Sequence, residues 1–394
     1  MKRVLLDKIG SVTQTCRLSR EVRLAAEIPA VEGGVVVVRV LTSKTTYDQI
    51  ELPSGRLSKV KPGDVVAGAL GHRKALFGYS GHVPDEIRPG ARLHLLNLGG
   101  VIGLCDSVNP DLGQPFVCEV LGQVLHFPYL GERVGLPAHI AQGAIPLDDR
   151  LEAGGVPVVA VVGSCMNSGK TQAACALIQA FAHRGLKVAA GKATGVSLRR
   201  DVLAMEDAGA RRTLIFTDLG VVTTTPAVAP RVARTLLTHL AGDAPDVIVL
   251  ELGDGLLGLY GVDAILDDPG LRGAFRAIVL AANDPVAAWG GARLLRERHA
   301  TETTVVTGPA TDNAAGSRLV ERETGRPAVN ARTDAETLAG IVLAALPGGA
   351  LAAAPRAPRT AARLAAAAPA PGGAGTPDGD LRAFGMVAPR EGRA

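Results

Sequence analysis

Hydrophobic and polar positions alternate in two different ways along this chain. Up to about residue 128 the apolar residues come in short β-branched or alternating runs, at 35–40, 64–70, 91–96 and 116–121. Pro62-Gly63-Asp64 and Pro89-Gly90 punctuate these runs as turns, so each run predicts a strand. Short strands at this even spacing predict a small β-barrel or sandwich over residues 1–135. Residues 136–155, with Pro137, Pro146 and Gly154-Gly155, read as a connector. From Val156 the texture changes. Strands are predicted at 156–162, 187–190, 213–216, 247–251, 277–281 and 304–306, with a short one at 328–330. Helical stretches such as 171–182 and 231–240 fall between them. This alternation predicts an α/β region over 156–346, a parallel sheet with helices on both faces. After Leu346 the chain turns to Ala, Pro, Gly and Arg, which offer too little bulky apolar surface to offset the entropy of ordering. A disordered tail is expected over 347–394, with 380–387 read either as a docking peptide or as inert.

Composition narrows the class. Of 394 residues 47% are hydrophobic and 20% charged, which excludes full-length disorder. No apolar run approaches the 18 residues of a membrane span. Met1-Lys2-Arg3 is followed by three apolar residues before Asp7, which is no signal-peptide core, so a cytoplasmic protein is expected. The formal charge is +4, and the tail beyond 346, with six Arg against three acids, carries most of it. The body therefore shows no basic face, and neither a nucleic-acid nor a membrane partner is expected. A small-molecule substrate is expected, a protein partner is the alternative, and a homo-oligomer is the expected assembly. Five cysteines without a Cys-x-x-Cys signal neither a disulfide framework nor a zinc knuckle. Lysine is scarce, nine against 33 Arg, and beyond Lys74 only Lys170, Lys187 and Lys192 remain. Lysines retained against such a bias mark places where a planar guanidinium does not serve.

Two of those lysines fall in motifs. The run from Val156 ends in Val162-Gly-Ser-Cys-Met-Asn-Ser-Gly-Lys-Thr, an apolar strand entering a Gly-Lys-Thr that opens a helix. Successive backbone N–H groups in such a loop wrap a phosphate, and the helix N-terminus adds a favourable dipole. Gly163, Ser164, Asn167, Ser168 and Gly169 form the candidate cradle. Lys170 is placed to reach the β and γ oxygens from an exposed loop lip, and Thr171 to bind Mg²⁺. The first glycine of the usual spacing is here Ser164, with Gly163 one residue earlier. Glu251 and Asp254 end a buried strand, at the sheet edge where ligands of open α/β sheets lie, and read as metal carboxylates. A capping role remains open for Glu251 and a simple turn for Asp254. Asp218 ends another strand and is a further metal candidate, with Asp201 behind it. Lys192, on the same edge, is a candidate second catalytic cation beside Lys170.

Beyond the loop, Gly185-Leu-Lys-Val-Ala-Ala-Gly-Lys-Ala-Thr-Gly and Asp246-Val-Ile-Val-Leu-Glu-Leu-Gly-Asp-Gly-Leu resemble two segments of dethiobiotin synthetase and its relatives among the P-loop NTPases. The resemblance covers residues 156–346 and does not reach the β-rich front. It implies that Lys192 is the family's second active-site lysine, although Ala193 replaces that family's Pro. It implies that Glu251 binds metal and that Asn330 contacts the purine. ATP is the expected nucleotide and GTP the alternative, with Mg²⁺ as the metal. Related groups include the adaptor GTPases of metal-cofactor maturation and a group with proposed amino-acid acyltransferase activity. Three functions therefore stand open: Mg-ATP-dependent phosphorylation of a small carboxylate or carbamate, a nucleotide-switched protein acting on a partner, and acyl transfer on a P-loop scaffold.

In the front region His72, His82, His94, Cys105 and Cys118 match no metal spacing. Residues 71–82 read as a strand pair with glycine-rich ends, and 97–103 as a strand end with bare backbone. Both are expected to face the phosphate loop across a cleft and to select the substrate or partner. Residues 150–346 by themselves are expected to keep nucleotide binding.

Overall fold

The valine-rich run 35–40 is buried at every position but Arg39, on both faces of its strand. Val36, Val38 and Val40 pack with Leu93, Leu95, Cys118 and Val120. Val35 and Val37 pack on the other side with Leu24, Ala67, Val124 and Ile140. Alternate side chains of a strand point to opposite faces, so a run without polar gaps is what a strand covered twice requires. This computed structural model describes residues 1–347 except 130, 132 and 133. The tail from 348, including the patch 380–387, lies outside the described residues.

Five strands of the front half close a ring: β1 (Val35–Val40), β2 (Val65–Leu70), β3 (Arg92–Leu95), β4 (Val101–Val108) and β5 (Val117–His126). β5 pairs with β1, β1 with β2, β4 with β3 and β3 with β5, all antiparallel, while β2 and β4 run parallel. The expected barrel or sandwich is therefore a small closed barrel, which leaves these five strands no free edge between them. A register shift between Val120 and Gly122 bends β5 against β1. Gly122 is required there, because a Cβ would lie 2.5 Å from the Ala25 carbonyl oxygen. Residues 73–74 and 79–82 form the expected strand pair.

The second half is α/β, a parallel sheet flanked by helices. Its strands are β6 (Val158–Gly163), β7 (Val188–Lys192), β8 (Arg212–Ile215), β9 (Val247–Glu251), β10 (Phe275–Ala281) and β11 (Val305–Thr307). They lie in the order β8-β7-β9-β6-β10-β11, and every pairing is parallel. The flanking helices are α1 (Lys170–His183), α2 (Arg200–Asp207), α3 (Ala229–Ala241), α4 (Pro285–His299), α5 (Ala314–Thr324) and α6 (Ala335–Ala345). α1 packs with α2 and α6, whereas α3 packs with the short helical turns at 262–274. Residues 328–330 make only an isolated bridge, at Ala328, and no strand.

The two halves share a bonded interface. Asn97 Nδ2 donates to the Ser197 carbonyl at 2.7 Å, Gln14 Nε2 to Asp218 at 2.5 Å and Thr223 Oγ1 to the His72 carbonyl at 2.6 Å. Val222, from the sheet half, is buried in the outer cluster of the barrel. The connector packs on both sides, Ile140 in that cluster and Leu147 and Leu151 against the sheet core. Among the described residues no helix is long and apolar enough to cross a membrane.

Candidate functional site

The phosphate loop begins where β6 ends. Gly163 closes the strand, and a Cβ there would meet Lys170 Cδ at 2.8 Å and Ser168 Oγ at 2.3 Å, so only glycine lets the lysine fold back across the loop. Asn167 has φ +62 and Gly169 φ +93, two left-handed turns that deliver the chain into α1. Among the described residues no acceptor engages the backbone N–H groups from Met166 to Thr171. These are the orphan donors of a helix N-terminus, aligned with its dipole. Ser164 differs from expectation, because its N–H is already bonded to the Ala281 carbonyl at 2.9 Å. Ser168 is fully buried and its Oγ has no partner.

Lys170 is not on an exposed lip. It is 6% exposed, and its Nζ donates to the Cys165 carbonyl at 2.8 Å. Burial pulls its pKa below the ordinary lysine value, with Lys192 adding to that and Glu251 opposing it. Lys192, at the end of β7, lies between Asp201 and Glu251, the latter at 3.4 Å. Burial works against its charge, but the two carboxylates outweigh it and hold the pKa above the usual value. Burial likewise opposes the Asp201 charge, and Lys192 prevails and lowers its pKa. Asp201, a secondary candidate in the sequence, thus belongs to the cluster. It stands nine residues beyond Lys192, in the first turn of α2.

Glu251 and Asp254 hold the oxygens that look for a cation. Glu251 is buried at the end of β9, and its Oε2 has no partner. Asp254 sits at φ +77, a left-handed position that a non-glycine residue adopts only when its surroundings hold it there. Its Oδ2 accepts from Leu259 N at 3.2 Å, Oδ1 has no partner, and burial raises its pKa. Two orphaned buried carboxylate oxygens, on residues that line one cavity with Thr171, fit a magnesium ion. Among the described residues no group of three His, Cys, Asp or Glu is placed to hold a metal, so the other positions would fall to phosphate and water oxygens.

Two expected site residues lie elsewhere. Asp218 accepts from Gln14 Nε2 through one oxygen and from Ile215 N at 2.9 Å through the other. It ties barrel to sheet, and a carboxylate committed to two donors is not a free metal ligand. Asn330 spends its amide on Asp312 at 2.8 Å and its oxygen on the N–H groups of Arg332 and Thr333. It braces a turn, and neither residue lines the cleft. In the barrel, His82 pairs with Asp106 and His94 Nδ1 accepts from Cys105 N, two separate contacts.

The cleft is a cavity of about 500 Å³ between the halves. Lys170, Thr171, Lys192, Glu251 and Asp254 lie along the sheet side, and Tyr47, Arg73, Phe77 and Asn97 along the barrel side. The loops at 71–82 and 97 therefore do face the phosphate loop, as the sequence led us to expect. Sequence reasoning missed Tyr47, and it missed Glu51, a fully buried acid that accepts from the N–H groups of Arg199 at 2.7 Å and Arg200 at 2.8 Å. Neither carries a local motif.

No family model matches the chain, and no curated protein matches it. Among solved structures, the signal recognition particle receptor FtsY from Elizabethkingia anophelis is 19% identical over 44% of this chain and 57% of its own, with a TM-score of 0.34. The signal recognition particle 54 kDa protein from Aeropyrum pernix K1, in complex with GDP, is 20% identical over 50% of this chain and 48% of its own, with a TM-score of 0.35. A DUF1611 family protein from Anabaena variabilis is 16% identical over 54% of this chain and 65% of its own, with a TM-score of 0.37. The match thus spans less than two thirds of each of these proteins. Likenesses this distant carry no argument about activity.

Proposed function

We propose that this chain binds a magnesium-complexed nucleoside triphosphate on the loop from Gly163 to Thr171 and directs its terminal phosphoryl group to a carboxylate or carbamate of a small molecule held in the cleft. The observation supporting this reading is convergence: two lysines, a threonine and two carboxylates from three strand ends line one side of a cavity whose other side is the barrel. Magnesium, when bound, withdraws charge from the phosphate oxygens. Lys170, on leaving the Cys165 carbonyl, donates to those oxygens. Lys192, fixed by Asp201 and Glu251, neutralises charge developing on the transferred group without having to reorient. The resemblance to dethiobiotin synthetases favours the same chemistry, with ATP as the first nucleotide to test and GTP beside it.

A second reading, a nucleotide-switched protein, is favoured by one segment. Residues 252–260 bring Asp254 into the site at one end and leave Leu257 68% and Leu259 50% exposed beyond it. ADP release from Mg-ATP by the full chain separates the two. Stimulation by a pool of small carboxylates and amines supports phosphoryl transfer, and stimulation by protein fractions alone supports the switch.

A further inference from the structure

We propose that the barrel side of the cleft is a carboxylate-binding subsite built on Arg73, so that the small molecule carries an anionic group besides the one that reacts. This inference rests on the phosphoryl-transfer reading above and names the class of its substrate. Arg73 begins the strand pair of residues 73–74 and 79–82, is 6% exposed and lines the cavity. A guanidinium buried to this degree is ordinarily matched by a carboxylate. Among the described residues Arg73 has no acidic partner. Its hydrogen bonds run from Nη1 alone, to the Leu96 carbonyl and, at 3.3 Å, to the Tyr47 hydroxyl. Nε is buried without a partner, and Nη2 bonds to no protein atom among the described residues.

The group is also fixed in place. Its guanidinium lies 5.7 Å from the Tyr47 ring centre and 5.9 Å from that of Tyr79. Gly78 gives it room, since a Cβ there would come within 2.5 Å of Nη2. Of the cations opposite, Lys192 is matched by Asp201 and Glu251, Arg200 lies 3.8 Å from Asp201, and Lys170 belongs to the phosphate loop. The anion that completes Arg73 therefore has to come with a ligand. Lys44 stands over the Tyr47 and Tyr79 rings and does not line the cavity, so on the barrel side Arg73 is the cation among the described lining residues. With Tyr47 and Phe77 in the same lining, it suits a singly charged carboxylate on a carbon chain better than a doubly charged phosphate.

The test uses the full chain saturated with Mg-ADP, which occupies the phosphate side. Straight-chain dicarboxylates from succinate to adipate are titrated by calorimetry against their neutral diamides. We expect a dicarboxylate to bind, its diamide not to bind, and Arg73→Met to weaken the dicarboxylate at least tenfold. Because Arg73 is buried, a second variant acts from a half-exposed side chain on the same side: Phe77→Glu is expected to weaken binding about fivefold by repulsion, and Phe77→Gln to stay near wild type. Equal binding of acid and diamide, wild-type affinity in both Arg73→Met and Phe77→Glu, or no dicarboxylate binding by the wild-type chain would each overturn the subsite. Mg-ADP affinity, measured first on the same samples, reports on the phosphate loop separately. Its loss would remove the phosphoryl-transfer reading while the Arg73 dependence of dicarboxylate binding stayed readable.

Discussion

Lys170 shows what burial does to a charge held for a ligand. Without phosphate its ammonium has one carbonyl acceptor, and desolvation lowers its pKa. Lys170→Met keeps the stem that packs under Gly163 and removes the charge. The variant should melt no lower than wild type, and its Mg-ATP affinity should fall roughly 10- to 100-fold, the worth of a charge-assisted hydrogen bond. Calorimetry and thermal melting read the two effects, and an unchanged affinity would take this lysine out of the phosphate site. Glu32 is the opposite case, a half-buried acid at the interface. Burial pushes its pKa up to about 7 from an ordinary 4.5, against a backbone hydrogen bond from Thr223, and its Oε1 has no partner. Between those two values the folded chain keeps a proton that the unfolded chain has released. Stability from this group is therefore full below the lower value and is lost as pH rises through the upper one, at most roughly 3 kcal/mol. Glu32→Gln should raise the melting temperature at pH 8 and narrow the gap between pH 5.5 and pH 8. A gap as wide as in wild type would assign the titration to another residue.

At the scale of elements, helix α2 is the one the barrel controls. Its N-cap residue, Arg199, offers no side-chain cap, and Glu51 supplies one from across the interface, taking two N–H groups with one carboxylate. The first turn of α2 also carries Asp201, the partner of Lys192. Glu51→Ala should cost about 2 kcal/mol in urea unfolding, and Glu51→Gln less, since an amide keeps one acceptor. A Glu51→Ala chain within 0.5 kcal/mol of wild type, roughly the scale of a neutral surface change, would show that the cap is idle. Most strands were legible from their apolar runs, and 247–251 matches β9 residue for residue. β6 starts at Val158 and not at 156, since Pro157 has no N–H to give a ladder. Residues 328–330 fall short of a strand because only Ala328 meets a neighbour, Val306.

For the whole molecule, the interface changes what a fragment can do. From sequence, residues 150–346 are expected to keep nucleotide affinity and to lose stimulated turnover. In the structure their removal from the barrel would expose Val222, leave the N–H groups of Arg199 and Arg200 without Glu51, and take away one side of the cleft. A loss of about 3 kcal/mol in a unit of this size lowers the melting temperature by roughly 6–12 °C. The fragment is therefore expected to melt well below the full chain, a comparison that scanning calorimetry makes directly. Equal melting temperatures would mean that the halves are thermally independent.

What the sequence determined by itself was the local part: the strand, loop and helix of the phosphate site, the α/β alternation and the β texture of the front. Those features are written in contiguous residues, because hydrogen-bond donors of one loop and apolar positions of one strand follow each other along the chain. Tertiary structure alone decided which acids converge. It brought Glu251, Asp254 and Asp201 to one cleft, and gave Asp218 to Gln14 and Asn330 to a turn. It also closed the barrel and set Arg73 opposite Lys170. Glu51 and Arg199 stand 148 residues apart. Charge pairing and capping act through space over a few ångströms, so no spacing along the chain records them until packing brings the two ends together.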